Sequence, residues 1–68
     1  MKEVFVITIT YQSGEQGSTT AYYHSKYQTT PNRLISDRFD TYSEAHDKIK
    51  ELIEIERMYS IEKYFVKV

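Results

Sequence analysis

The sequence predicts an α+β fold in which a three- to four-stranded antiparallel sheet carries one amphipathic helix packed on one face. Two segments that alternate in polarity, one near each end of the chain, predict strands, and a segment with helical spacing lies between them. A chain of 68 residues supplies one small hydrophobic core, so residues 1–68 are expected to form a single domain. The predicted order is β-β-(β)-α-β, where the bracket marks a strand that the sequence leaves open.

The segment Lys2 to Tyr11 is predicted to be the first strand, because it is rich in β-branched and aromatic residues. Alternation places Phe5, Ile7, Ile9 and Tyr11 on one face, and Val4, Val6, Thr8 and Thr10 on the other. Because both faces carry apolar side chains, this strand is expected in the middle of the sheet.

The segment Gln12 to Ser18 is predicted to be a hairpin loop, because Gly14 and Gly17 supply the positive φ angles that such a loop needs. The more polar segment Thr19 to Tyr27 is then the returning strand, at an edge of the sheet. Pro31 should break the chain over residues 29–32, since proline lacks a backbone donor.

Two interpretations fit Leu34 to Phe39, which is either a short third strand or an irregular approach to the helix. Thr41 and Glu44 form a capping-box pattern that predicts the helix start, and the apolar spacing extends the predicted helix to near Met58. The helix is expected to bury Ala45, Ile49, Leu52 and Ile53.

The C-terminal segment from Tyr59 to Val68 returns to a period of two and is predicted to be the last strand, lying beside the first. Its two faces carry Tyr64, Val66 and Val68, and Lys63, Phe65 and Lys67. The helix is expected to cover the face that bears Phe5, Ile7, Ile9, Tyr64, Val66 and Val68.

The opposite face should then be open, with alternate tyrosines of the second strand on it, either Tyr22 or the pair Tyr23 and Tyr27. An open apolar face predicts a partner, either another protein or a second copy of the chain as a homodimer. The candidate interface consists of Val4, Val6, Tyr23, Tyr27 and Phe65. Alternatively, threonine, lysine and tyrosine make this face polar enough to remain solvated.

Nucleic-acid binding is the alternative function, because lysines flank an aromatic residue near the C-terminus, as in a stacking platform. The candidate contacts are Lys63, Phe65, Lys67, Arg33 and Arg38. The formal net charge of −1 argues against it, and strand lysines also protect sheet edges from aggregation.

Catalysis is not expected, since the sequence shows no nucleophile, base and orienting group in a recognisable pattern. The chain has no cysteine, and His24 and His46 lack metal-ligand spacing, so neither a metal site nor a cofactor is expected. The four carboxylates around the helix start suit capping and the helix dipole: Asp37, Asp40, Glu44 and Asp47.

No apolar run is long enough to span a bilayer or to act as a secretion signal, so no membrane partner and a cytoplasmic location are expected. The absence of cysteine is compatible with a reducing compartment.

The run from Asp37 to Ala45, with its Phe-x-Thr-x-x-Glu-Ala pattern, precedes the Ile49–Ile53 helix segment and the strand Ile61–Val66. This C-terminal half resembles small accessory proteins of phages and Gram-positive mobile elements. The resemblance implies a short protein that acts by binding and blocks or redirects a host macromolecule. It carries no catalytic or binding residues over to this chain.

Overall fold

A computed structural model describes residues 1–12, 14, 17–53 and 57–67. In these ranges it contains four antiparallel strands in the order β3-β2-β1-β4 and one helix, which confirms the predicted α+β class. The elements are β1 (Lys2–Gln12), β2 (Ser18–His24), β3 (Gln28–Thr30), α1 (Tyr42–Leu52) and β4 (Arg57–Val66). As predicted, β1 is central and lies between β2 and β4.

The helix packs on the face of the sheet that carries the odd-numbered residues of β1. Ile7, Ile9 and Ala45 form the buried centre of this core. The β4 residues Tyr59 and Ile61 lie opposite Ile9 and Ile7 and pack against the same core. Further half-buried residues complete it: Phe5, Tyr11, Tyr23, Phe39, Ile49 and Leu52.

The predicted faces of β4 are reversed in the structure. Tyr64 lies opposite Val4, and Val66 lies opposite Lys2, so both belong to the face away from the helix. Val68 lies outside the described residues. Alternation defines the two sets of side chains, but the register with β1 decides which set meets the helix, and a slip of one residue exchanges them.

The start of α1 agrees with the prediction, since Thr41 is the N-cap and its Oγ1 accepts a hydrogen bond from the Glu44 N–H at 3.1 Å. The predicted end near Met58 is wrong, because α1 ends at Leu52 and Met58 lies in β4. Met58 pairs with Thr10. The long β1·β4 ladder therefore extends into the segment whose apolar spacing favoured a helix.

The predicted second strand, Thr19 to Tyr27, contains β2 and a turn, and its predicted place at the sheet edge is wrong, because a further strand, β3, follows it and takes that edge. β2 ends at His24, residues 25–27 turn, and β3 pairs back onto β2 with Thr30 opposite Tyr22. Gln28 opens β3 with a φ of 69°, in the left-handed region. His24 supports the turn, because its Nδ1 accepts the Lys26 N–H at 3.0 Å.

The segment Leu34 to Phe39 takes the irregular path that was one of its two interpretations. A short 3-10 turn spans Arg33–Ile35. Phe39 then forms an isolated bridge with Phe5, and the two residues exchange backbone hydrogen bonds of 2.9 and 2.8 Å. This bridge extends the sheet beside the start of β1 and delivers the chain to α1.

Candidate interaction surface

The second face of the sheet is not the open apolar surface that the sequence predicted. Val4 is 3% exposed and Val6 is 0% exposed, so neither can contact a partner in the folded chain. The chain between β3 and α1 reaches the same face, since Arg33 contacts Glu62 and Tyr64, the β4 residues opposite these two valines. We call residues 31–38 the covering segment.

Two arginines fix the covering segment to β4. Arg33 Nη1 lies 2.6 Å from Glu62 Oε1, and the Arg33 guanidinium lies 4.6 Å from the centre of the Tyr64 ring. Arg38 donates from Nε to the Tyr64 hydroxyl at 3.1 Å. Tyr64 is therefore the main anchor of the segment on this face.

The predicted interface residues are dispersed. Tyr23 packs against the core on the helix side, whereas Tyr27 is 60% exposed in the turn before β3. Phe65 is 56% exposed on β4, at the opposite edge of the sheet from that turn. The structure therefore supports Phe65 and Tyr27 as accessible positions, but it does not join the five residues into one surface.

The nucleic-acid candidates are also divided between two faces. Lys63 lies opposite Phe5 and Phe65 lies opposite Glu3, which places both on the helix side of β4. Arg33 and Arg38 contact Glu62 and Tyr64 on the other side. Lys67 is exposed just beyond β4. No continuous platform of cations and rings forms from these residues.

The outer edge of β4 is a second accessible feature, and none of the candidate interface residues was predicted from it. Over ten residues, β4 pairs with β1 on one side, and no strand in the described part of the chain pairs with its other side. The sequence signal was present, because a strand predicted to follow the helix and lie beside the first strand has one side without a neighbour.

The direction of the backbone groups on this edge follows from the Phe5–Phe39 bridge. Phe5 directs its N–H and C=O away from β4, and antiparallel ladders alternate these directions, so the even residues of β1 bond to β4. Their β4 partners are also even-numbered. The outward N–H and C=O groups therefore belong to the odd residues, including Tyr59, Ile61, Lys63 and Phe65.

Side chains beside this edge combine apolar and charged character. Met58 is 74% exposed and lies on the face away from the helix, near the start of β4, while Phe65 lies on the helix face near its end. Ser60, between them, bonds through its hydroxyl to that of Thr8. The edge thus offers backbone groups along its length and one large apolar side chain near each end.

A depression of about 320 Å³ lies near the C-terminal end of α1. Its described lining includes Tyr23, Glu51, Leu52, Arg57 and Tyr59. The Tyr59 hydroxyl donates to the Leu52 carbonyl at 2.7 Å, which ties β4 to the last turn of the helix. This contact gives Tyr59 a structural role at the margin of the depression.

On the outer side of α1, a lysine and a glutamate of the helix form an ion pair. Lys48 Nζ lies 2.8 Å from Glu51 Oε2, and this hydrogen bond and the carboxylate charge raise the pKa of Lys48 above its ordinary value of 10.5. His46 stacks with Tyr42 at 6.2 Å between ring centres. Within the described residues, no group of three or more metal-ligating side chains comes together.

Comparison of the chain with protein-family models, with curated proteins and with solved structures finds no match. Among the helices that the structure describes, none is both long and apolar enough to cross a membrane.

Proposed function

We propose that the chain is a non-catalytic protein-interaction module that binds an extended segment of a protein as an additional strand on the outer edge of β4. The observation that carries the proposal is the row of outward backbone groups at Tyr59, Ile61 and Lys63. A partner strand would satisfy these groups in the ladder pattern that β1 already uses on the other side.

Backbone pairing alone is insufficient for stable binding. Each hydrogen bond contributes a net stabilisation of about 0.5–1.5 kcal/mol. Association costs about 4–15 kcal/mol, because the two partners lose translational and rotational freedom. Apolar contacts must supply the difference, and the exposed side chains of Met58 and Phe65 flank the edge in suitable positions. The expected partner segment is therefore extended and carries apolar or aromatic residues that meet these two side chains.

The proposal includes where the protein acts and on what kind of target. A short binding protein without a cofactor, acting in the cytoplasm on a host macromolecule, fits the resemblance of the C-terminal half to phage and mobile-element accessory proteins. Nucleic acid is the weaker candidate partner, because Arg33 and Arg38 are engaged by Glu62 and Tyr64, and the net charge is −1.

Amide hydrogen exchange of the dilute protein tests whether the edge is available. Ile61 and Lys63 should exchange much faster than Ser60 and Glu62, whose N–H groups bond to β1. Equal and strong protection of all four amides in a dilute monomer would contradict the proposal, since it would mean that the chain covers its own edge.

Photo-crosslinking in cells then tests the binding itself. A photoreactive residue at Lys63 should crosslink to protein, and the same residue at Glu44, exposed in the first turn of α1, is the control. Adding Ile61→Pro to the Lys63 probe removes one outward N–H from the edge together with a side chain of the core, so it should abolish the crosslink, and protected Ser60 and Glu62 amides would show that the β1·β4 hydrogen bonds persist. Crosslinks to nucleic acid, or crosslinks unaffected by the proline, would contradict the proposal.

A further inference from the structure

We propose that the strand bound by β4 is β4 of a second copy, in an antiparallel register that places Ile61 opposite its own counterpart. This inference rests on the proposed function and specifies its partner. The product is a two-fold symmetric dimer in which one sheet of eight strands runs through both copies.

Symmetry restricts the registers that two copies of β4 can adopt. A two-fold axis perpendicular to the sheet keeps each face on the same side in both copies. Residues directly opposite each other must then share a face, so odd residues meet odd residues and even residues meet even residues. The outward N–H and C=O groups of one β4 therefore meet those of the other. One central residue lies on the axis, opposite its own counterpart, and it defines the register.

Charge selects among the central residues that give a long overlap. An axis at Glu62 sets two carboxylates opposite each other, and an axis at Lys63 does the same for two ammonium groups. An axis at Ser60 sets Lys63 opposite Arg57 of the second copy. These three registers each oppose like charges at close range.

The axis at Ile61 avoids every such pair within the strand. It sets Glu62 opposite Ser60, and it sets Lys63 opposite Tyr59, where an ammonium group can lie against a ring. Phe65 meets Arg57 of the second copy, whose guanidinium lies 5.7 Å from the centre of the Tyr11 ring in its own chain. This register therefore combines a long overlap with favourable charge contacts.

Burial of exposed apolar side chains supports pairing of two copies along this edge. Met58 is 74% exposed and would lie opposite Tyr64 of the second copy, on the face away from the helix. Phe65, 56% exposed in the single chain, would be covered on the helix face. Each copy thus covers an exposed apolar side chain near each end of its partner strand, and no change of fold is needed.

The cysteine-free chain allows a direct test by single-cysteine substitution. In the proposed register, positions 60 and 62 of different copies form a non-hydrogen-bonded pair with Cα atoms about 4.5 Å apart, within the range of a disulfide. Two S60C chains, or two E62C chains, would instead hold their cysteines about 8 Å apart, which is too far.

In the experiment, ¹⁵N-labelled S60C is mixed with unlabelled E62C under mild oxidation. Mass spectrometry then distinguishes the mixed disulfide from the two homodisulfides by their masses. We expect the mixed disulfide to exceed each homodisulfide by about tenfold or more, relative to random pairing. A dominant E62C homodisulfide would place the axis at Glu62, a dominant S60C homodisulfide would place it at Ser60, and either result would overturn the register.

Sedimentation of the unmodified chain guards against artefacts of the cysteine variants. We expect a concentration-dependent dimer, with Ile61 and Lys63 amides becoming protected as the dimer forms. Lys63→Pro, which removes an outward N–H, should shift the chain to monomer, whereas Lys63→Ala keeps that N–H, loses only the contact with Tyr59 and should weaken the dimer much less. A monomer at all concentrations with fast-exchanging outward amides would overturn the dimer but leave the proposed function to its crosslinking test.

Discussion

The guanidinium of Arg33 lies against the ring of Tyr64, with 4.6 Å between the guanidinium carbon and the ring centre. This contact joins the irregular chain after β3 to the last strand of the sheet. It lies on the face that buries Val4 and Val6. The sheet thus has buried apolar residues on both sides, although only one side carries the helix.

Tyr64→Ala should release the covering segment and lower the free energy of unfolding by about 2–3 kcal/mol, from lost burial and the lost cation–π contact. Val4 and Val6 would become more accessible, so binding of a hydrophobic dye should increase. Urea unfolding measures the stability change. Tyr64→Phe is the matched control, since it removes only the Arg38 bond and should cost about 1 kcal/mol. Equal losses in the two variants would refute the anchoring role of the ring.

Ala45→Leu should destabilise the chain by about 1–3 kcal/mol, because Ala45 is fully buried where α1 meets β1 and extra carbons there would force the helix from the sheet. That is a large share of the stability expected for so small a core. Lys50→Leu, at an exposed helix position, should change stability by less than about 0.5 kcal/mol. Chemical denaturation of both variants provides the comparison, and a neutral Ala45→Leu would mean that the helix packs loosely.

Thr41→Val keeps the shape of the N-cap side chain but removes the oxygen that accepts the Glu44 N–H at 3.1 Å. We expect a loss of about 1 kcal/mol and faster exchange of the Glu44 amide. Thr41→Ser retains the acceptor and should remain close to the parent in both measurements. If serine and valine behaved alike, the hydroxyl would have no capping role.

Gln28→Gly should raise stability by about 0.5–1 kcal/mol, because Gln28 adopts a φ of 69° that glycine reaches without steric conflict. The expected rise in melting temperature is several degrees for a domain of this size. Thr29→Gly is the control at the next position of β3, and it should lower stability by a similar amount. Thermal unfolding that showed a loss in both variants would indicate that Gln28 is not strained.

Local signals in the sequence were sufficient for the first strand, for the start of the helix and for a strand after it. The alternation over Lys2–Tyr11 predicted a central strand, and the Thr41 and Glu44 pair predicted the start of α1. The division of Thr19 to Tyr27 and the end of the helix at Leu52 were not predictable in this way. Both depend on pairing with a neighbouring strand, which outweighs local periodicity.

The candidate interface was predicted only in part for the same reason. Phe65 is exposed, but on the helix side of the sheet and not on the face predicted for it, and Val4 and Val6 are buried on the face where the covering segment, which has no periodic pattern, meets β4. Its position follows from contacts between side chains distant in sequence, such as Arg33 with Glu62. No rule of spacing encodes contacts of this kind.

The sequence by itself determined the α+β class, an apolar first strand, the capped start of the helix and a strand after the helix, because propensity, capping and alternation act locally. Only the tertiary structure decided which side of β4 meets the helix, what covers Val4 and Val6, and which backbone groups face outward. Those three features depend on strand register and on long-range contacts. A shift of the β4 register by one residue would exchange the two faces of that strand.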